Sequence, residues 1–138
     1  VCQEGALTLP QDDETFMKSM AESAAAVLST FPDRKKVVYI NFLFQIQPEC
    51  DCMPIADVPV IQDQGIMVSD DLVAIEQASI DMLRAAPPLP QSAAEDAKLK
   101  AGVDILGTLN PRPLQLQIDE CERLGLGTKK YELITIEP

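Results

Sequence analysis

Hydrophobic residues recur at spacings of three and four near the start of the chain, which predicts an amphipathic helix over about residues 13–30. Asp12 and Asp13 supply the side-chain oxygens that favour a helix N-terminus, and Pro32 ends the pattern. The face expected to reach the core carries Phe16, Met20, Ala24, Val27, Leu28 and Phe31.

Two apolar runs predict strands. Residues 37–44 are β-branched and aromatic on both faces, which is typical of a strand inside a sheet that is covered on both sides. Residues 65–68 predict a second buried strand, and Ser69, Asp70 and Asp71 then offer capping oxygens to a helix that ends near Ala86. The core stripe expected on that helix consists of Leu72, Ile75, Ala78, Met82 and Ala86.

The remaining residues predict further helices and a last strand. A short helix is expected over about residues 92–101, and another between Pro113 and the C-terminal cap Gly125, with Leu114, Ile118, Cys121 and Leu124 on its inner side. Residues 131–136 alternate and predict a strand near a sheet edge. The succession predicts an α/β fold, a three-layer partial domain with a mostly parallel sheet of at least three strands and at least four flanking helices.

Composition limits the partners. The chain has 138 residues and 46% hydrophobic residues, enough for one domain with a core. Eleven Lys and Arg against 22 Asp and Glu give a formal charge of -11, which repels phosphate backbones and anionic lipids, so neither nucleic acid nor a membrane is expected as a partner. No secretory signal is visible, and four cysteines are too few for a disulfide scaffold, so we expect a soluble protein in the reducing cytoplasm.

The chain contains no histidine, which excludes Ser-His-Asp and Cys-His nucleophile systems within it and leaves thiolates and carboxylates as metal ligands. Cys50 and Cys52 follow the first predicted strand, and Asp70 follows the second. Ligands bind at the carboxyl ends of parallel strands, so these three residues, with Asp57 or Asp63 as a further donor, are predicted to gather around one space that binds a metal or tunes a redox thiol. Two alternatives stay open: the thiols only fill a tight turn, and residues 69–71 only cap a helix.

Other reactive residues suggest no site. Cys121 lies on an apolar stripe and is expected in the core. Glu76 and Asp81 are separated by five residues, which places them on different sides of a helix, so we interpret them as solvated surface and not as a catalytic pair. No glycine-rich phosphate-binding motif is present.

Several segments, taken in order, resemble a known family. The segment Cys2-Gln3-Glu4-Gly5-Ala6 resembles the end of a bacterial-type ferredoxin motif. Together with residues 39–42, 48–52, 63–66 and 69–78, it resembles the DUF362 family of uncharacterised iron–sulfur-centre proteins. Residues 124–134 also look like the ending of that family.

The resemblance implies a domain organisation and a function. Members carry ferredoxin-type cysteine motifs before this region, so residues 1–10 are expected to be a remnant of a ferredoxin-like segment and residues 11–138 the C-terminal α/β domain. Cys2 is then the last ligand of an iron–sulfur cluster (4Fe–4S) that the full-length protein holds and this chain alone does not. The implied partner is the ferredoxin-type domain of the same parent chain, and the implied role is redox chemistry or electron transfer.

Two other functions remain open, and whether the chain is an enzyme is undecided. One is a metal-dependent enzyme or binding domain that uses the loop of Cys50 and Cys52. The other is a structural domain onto which a ferredoxin module docks.

Overall fold

The computed structural model describes residues 12–50 and 57–136, and this part of the chain combines helices with a small sheet. The mixed α/β character predicted from the sequence is confirmed. The helices are α1 (Asp13–Ser29), α2 (Leu72–Ala85), α3 (Ala93–Asp96), α4 (Ile105–Leu109) and α5 (Leu114–Arg123), the strands are β1 (Tyr39–Leu43) and β2 (Gly65–Ser69), and a 3₁₀ turn covers Arg34–Lys36. None of the helices in these residues has the length and apolar character that a bilayer crossing requires.

Helix ends follow from side-chain capping. The Asp12 carboxylate accepts a hydrogen bond from the Thr15 amide at 2.7 Å, which satisfies one of the unpaired N–H groups of the first turn of α1. Helix α5 ends in a Schellman motif at Gly125, whose φ is +71°, and the Leu126 amide donates to the Cys121 carbonyl at 3.0 Å. The predicted caps at Asp12 and Gly125 are therefore confirmed.

The two strands pair antiparallel. Tyr39 lies opposite Ser69, and Leu43 lies opposite Gly65. The predicted mostly parallel sheet is therefore wrong for this pair, because a parallel connection needs a crossover of a dozen or more residues, usually a helix, and the described residues between β1 and β2 contain none. Residues 131–136 are not a strand either, so the sheet in the described part of the chain has two strands, and a three-layer arrangement is not formed there.

The sheet is covered on one face only. Side chains alternate across it, so Asn41 and Met67 face α2, whereas Ile40, Phe42, Ile66 and Val68 face away. These last four side chains form the outer sheet face, and each is between 52% and 65% exposed. The prediction that both faces are buried is thus wrong for the residues described, because nothing in ranges 12–50 and 57–136 packs on the second face.

The core has two parts, and α2 contributes to both. Val73, near the start of α2, packs in a first cluster, and Ala86, directly after its end, belongs to a second. The first cluster joins α1, α2 and α5 through Ala21, Leu28, Val73, Ile118, Cys121 and Leu126. The second lies under the loops and short helices and consists of Val60, Ile61, Ala86, Ala94 and Ile105.

The buried face of α1 is shifted from the predicted one, and the two share Leu28 and the partly buried Ala24. Met17, Ala21 and Leu28 are buried, whereas Phe16 and Val27 are 51% and 62% exposed. Helix α5 lies along α1 in the same direction: the Arg112–Asp13 ion pair joins their beginnings, and Leu28 and Leu126 share a cluster at their far ends. The small side chain of Ala21 allows this close approach, so the core face is set by the packing partner and not by the largest residues.

The substitution of Val by Ala at one buried and one exposed position tests the assignment of core and surface. Val73→Ala removes two buried carbon groups and leaves a cavity, so we expect the free energy of unfolding to fall by about 2–3 kcal/mol. Val27→Ala removes the same atoms from an exposed helical position and should change it by no more than about 0.5 kcal/mol. Urea denaturation followed by circular dichroism measures both, and equal losses would contradict the assignment of Val73 to the core and of Val27 to the surface.

Candidate functional site

Cys50 is the one predicted thiol ligand within the described residues, and its side chain is exposed. It follows β1 in a segment held at several points. The Gln45 amide donates to the Asp63 carboxylate at 2.9 Å, and the Pro48 carbonyl accepts a hydrogen bond from the Asn110 side chain at 3.1 Å. Cys2 and Cys52 lie outside the described residues, so the roles assigned to these two cysteines stay predictions.

Asp70 lies at the other end of the sheet. Leu43, where β1 ends, pairs with Gly65, whereas Ser69, where β2 ends, pairs with Tyr39. The two strand exits are therefore separated by the length of the strands, about 14 Å for four residue steps. The expectation that the two exits share one edge depended on parallel pairing, which these strands do not have. Within the described ranges no group of three or more Cys, Asp or Glu side chains is placed to hold a metal ion.

Asp71, the residue after Asp70, forms a junction with the segment that follows α5. The Asp71 carboxylate caps α2 by accepting from the Ala74 amide at 2.9 Å, and it also accepts from the Thr128 amide at 3.0 Å. A Cβ atom on Gly127 would overlap this carboxylate, so a larger residue there would push the Asp71 side chain out of its position. The capping role predicted for Asp71 is confirmed, and the same side chain joins two segments 57 residues apart.

A polar cluster lies between β1 and α2. The Asn41 amide group donates to Glu76 Oε1 at 3.1 Å and to Ser79 Oγ at 2.9 Å. Ser79 is buried, and its hydroxyl donates to the Ile75 carbonyl at 2.7 Å. The interpretation of Glu76 as solvated surface is wrong, because Glu76 is partly buried and bonded to the sheet. Such a satisfied network fixes the rotation of α2 against β1.

A second polar network connects α2 with the chain after α5. Asp81 accepts hydrogen bonds from the Gln77 amide group at 3.0 Å and from the Tyr131 hydroxyl at 2.9 Å. The hydrogen bond to Asp81 and, secondarily, burial raise the pKa of the Tyr131 phenol. Asp81 is therefore a partly buried anchor for residues 131–136, not the freely solvated side chain expected from the sequence.

Cys121 is a core residue, as predicted. It is 6% exposed and packs with Ala21 and Ile118. Burial raises the pKa of its thiol, and the nearby carboxylates of Glu76 and Glu120 raise it further. A thiol of this kind is a poor nucleophile and a poor metal ligand at neutral pH, because both roles require the thiolate.

Comparison with known families identifies the chain. Residues 3–81, more than half of its length, match the family described as "Domain of unknown function (DUF362)". The chain therefore belongs to the DUF362 family. The match covers α1, both strands and most of α2, and it includes Asn41, Asp71 and Glu76. No curated protein and no solved structure matches the chain significantly.

Sequence reasoning missed Asn41, Ser79 and Gly127 as organising residues. An isolated polar residue in the apolar run 37–44 was the available signal for Asn41, since a buried amide needs hydrogen-bond partners. No local signal marks Gly127, because its constraint comes from a carboxylate far away in the sequence.

A double-mutant cycle tests the junction at Asp71. Gly127→Ala forces the Asp71 carboxylate away from its two amide donors, so we expect it to destabilise the chain by about 1–3 kcal/mol. Asp71→Ala removes the cap and should cost about 0.5–2 kcal/mol. In the double variant the overlap is gone, so the combined loss should be smaller than the sum. Strict additivity in urea unfolding would refute the contact.

Thiol labelling tests the environment of Cys121. We expect iodoacetamide at pH 8 to modify Cys121 in the folded chain at least about tenfold more slowly than in urea, with exposed Cys50 as the fast internal reference. Peptide mass spectrometry after timed quenching gives both rates. Similar rates for Cys121 in the two conditions would contradict its burial.

The raised pKa of the Cys121 thiol also predicts how the stability of the fold changes with pH. The folded-state pKa of Cys121 lies above the unfolded value of 9.0, so its contribution to stability is fully present below pH 9. It is lost as the pH rises through the folded-state pKa, because unfolding then releases a proton. The urea concentration at the unfolding midpoint should therefore fall less steeply above pH 9 in Cys121→Ala than in the unchanged chain. An equally steep fall in both would contradict the raised pKa of Cys121.

Proposed function

We propose that this chain is the C-terminal α/β domain of an iron–sulfur-binding protein with a redox or electron-transfer role. The proposal assigns a 4Fe–4S cluster to the full-length protein and makes the ferredoxin-type domain of the same parent chain the partner. Two observations support it. The chain belongs to DUF362 over residues 3–81, and Cys50, in a segment that resembles this family, has an exposed side chain.

The chain's own thiols do not complete a ligand set for the cluster. A 4Fe–4S cluster is held by four cysteine thiolates, and the chain has four cysteines in total. Cys121 is buried in an apolar cluster and its pKa is raised, so at most Cys2, Cys50 and Cys52 remain. The proposal therefore places the cluster on the ferredoxin-type segment, with Cys2 as its last ligand, and gives residues 11–138 a supporting role.

A second candidate is a structural domain onto which a ferredoxin module docks, and the outer sheet face favours it. Ile40, Phe42, Ile66 and Val68 form two directly opposed cross-strand pairs on this face, all of them more than half exposed. Exposed apolar side chains that adjoin one another commonly mark a contact surface. The third candidate, a metal-dependent enzyme or binding domain, depends on Cys52, which lies outside the described residues.

Metal analysis of anaerobically purified protein separates the candidates. We expect iron and acid-labile sulfide in equal amounts, with visible absorbance, in a longer polypeptide that includes the upstream ferredoxin motif, and neither in residues 1–138 alone. The Cys50→Ser variant should keep the cluster in the longer polypeptide, and Cys121→Ser serves as the buried-thiol control for altered folding. A colourless, iron-free long polypeptide would refute the first candidate.

The other outcomes are equally specific. Stoichiometric zinc or iron in residues 1–138 that disappears in Cys50→Ser, but not in Cys121→Ser, would support the metal-dependent domain. Metal-free protein in both lengths would support the docking domain. In that case Phe42→Ser should weaken binding of the separately produced ferredoxin segment, whereas Val27→Ser, an equally exposed change on α1, should not.

A further inference from the structure

A groove runs along the side of β2 that β1 does not occupy. One wall is β2 with the preceding Gln64, the opposite wall is formed by residues 131–136, and the floor is the apolar side of α2 at Ala74, Ile75, Ala78 and Met82. Its volume is about 580 Å³. We call it the β2 groove. Neither Cys50 nor Asp71 lines it.

Among residues 12–50 and 57–136, no strand pairs with residues 131–136 or with the second edge of β2. β1 is the one strand in these ranges that pairs with β2, so that second edge faces the groove. Residues 131–136 make no backbone–backbone hydrogen bond with any other described residue, and the Tyr131 hydroxyl donates to Asp81. Adjacent strands lie about 4.7–4.9 Å apart, which leaves no cavity between them. The walls are therefore farther apart than two paired strands, and the unpaired edge of β2 is a template for strand addition.

The side chains around the groove define what an inserted strand would look like. The floor is apolar, so every second residue of the strand must be apolar to pack on α2. On the far wall Ile134 and Ile136 are 75% and 89% exposed, and they would lose water contact when the groove fills. An alternating segment with β-branched residues meets both requirements.

Charge selects among possible occupants. Asp63 and Asp70 are exposed just before and just after β2, and Glu132 stands on the opposite wall. Two basic residues, Lys129 and Lys130, precede that wall, and Lys129 is already paired with Asp119 and Glu122. The chain as a whole carries -11. Basic residues at both ends of an inserted strand would match this acidic border, and a second copy with the same charge would be repelled.

We propose that the β2 groove binds an extended segment of another protein by strand addition, with alternating apolar residues and with Lys or Arg at both ends. Backbone hydrogen bonds to β2 supply affinity, α2 selects the apolar positions, and the acidic border selects the basic ends. This proposal is independent of the iron–sulfur proposal, because it uses no cysteine and no metal.

Synthetic peptides test strand addition directly. The probe is the fluorescently labelled peptide KKVTITVKK, with EEVTITVEE as the charge control and a version of the first peptide N-methylated at alternate residues as the hydrogen-bond control. We expect saturable binding of the first peptide by fluorescence anisotropy, at least about tenfold weaker binding of the acidic peptide, and loss of binding on N-methylation on the edge that meets β2. Methylating the opposite set of residues should have less effect.

Variants and hydrogen exchange locate the binding site. The peptide should slow the exchange of backbone amides in residues 65–69, and Ile134→Asn should weaken binding at least about threefold, whereas Val27→Asn on exposed α1 should not. The proposal is overturned if none of the peptides binds, if the N-methylated and unmodified peptides bind equally, or if binding leaves residues 65–69 unaffected. A dimer in sedimentation that protects the same amides without peptide would also overturn it, since the occupant would then be a second copy.

Discussion

The burial of α2 on two sides is the constraint on which the rest of the structure depends. Val73 points into the cluster with α1 and α5, while Ile75 and Ala78 face the β2 side. The hydrogen bonds from Asn41 to Glu76 and Ser79 fix the rotation of the helix between these two surfaces. Because one helix serves both packing surfaces, the sheet cannot shift relative to the α1–α5 pair without breaking polar contacts that are costly to leave unpaired inside the protein.

Local rules explain what could be predicted from the sequence. The extents of α1, β2 and α2, the cap at Asp71 and the C-terminal glycine of α5 follow from side-chain chemistry within a few residues, and each of them is confirmed. The core placement of Cys121 was predictable for a similar reason, since a cysteine within an apolar helical stripe packs as a small hydrophobic residue.

The remaining features depend on contacts between distant residues. The antiparallel direction of β2 against β1 has no local signal, because the composition of residues 44–64 is compatible with either a crossover or a return. The buried face of α1 is decided by its packing against α5. Phe16 stays exposed although it is larger and more apolar than Ala21, which is buried. The expected approach of Asp70 to Cys50 was deduced from parallel strands, and β1 and β2 pair antiparallel.

The pairing of α1 with α5 has a consequence for how the chain folds. The ion pair between Asp13 and Arg112 spans 99 residues, and the cluster around Ala21 is completed only by Ile118, Cys121 and Leu126. Contacts of such long range slow folding, since loop closure must precede the gain from packing. During synthesis the apolar side of α1 is therefore covered only after α5 has been made, and a ribosome-bound chain that stops before α5 exposes that side to chaperones.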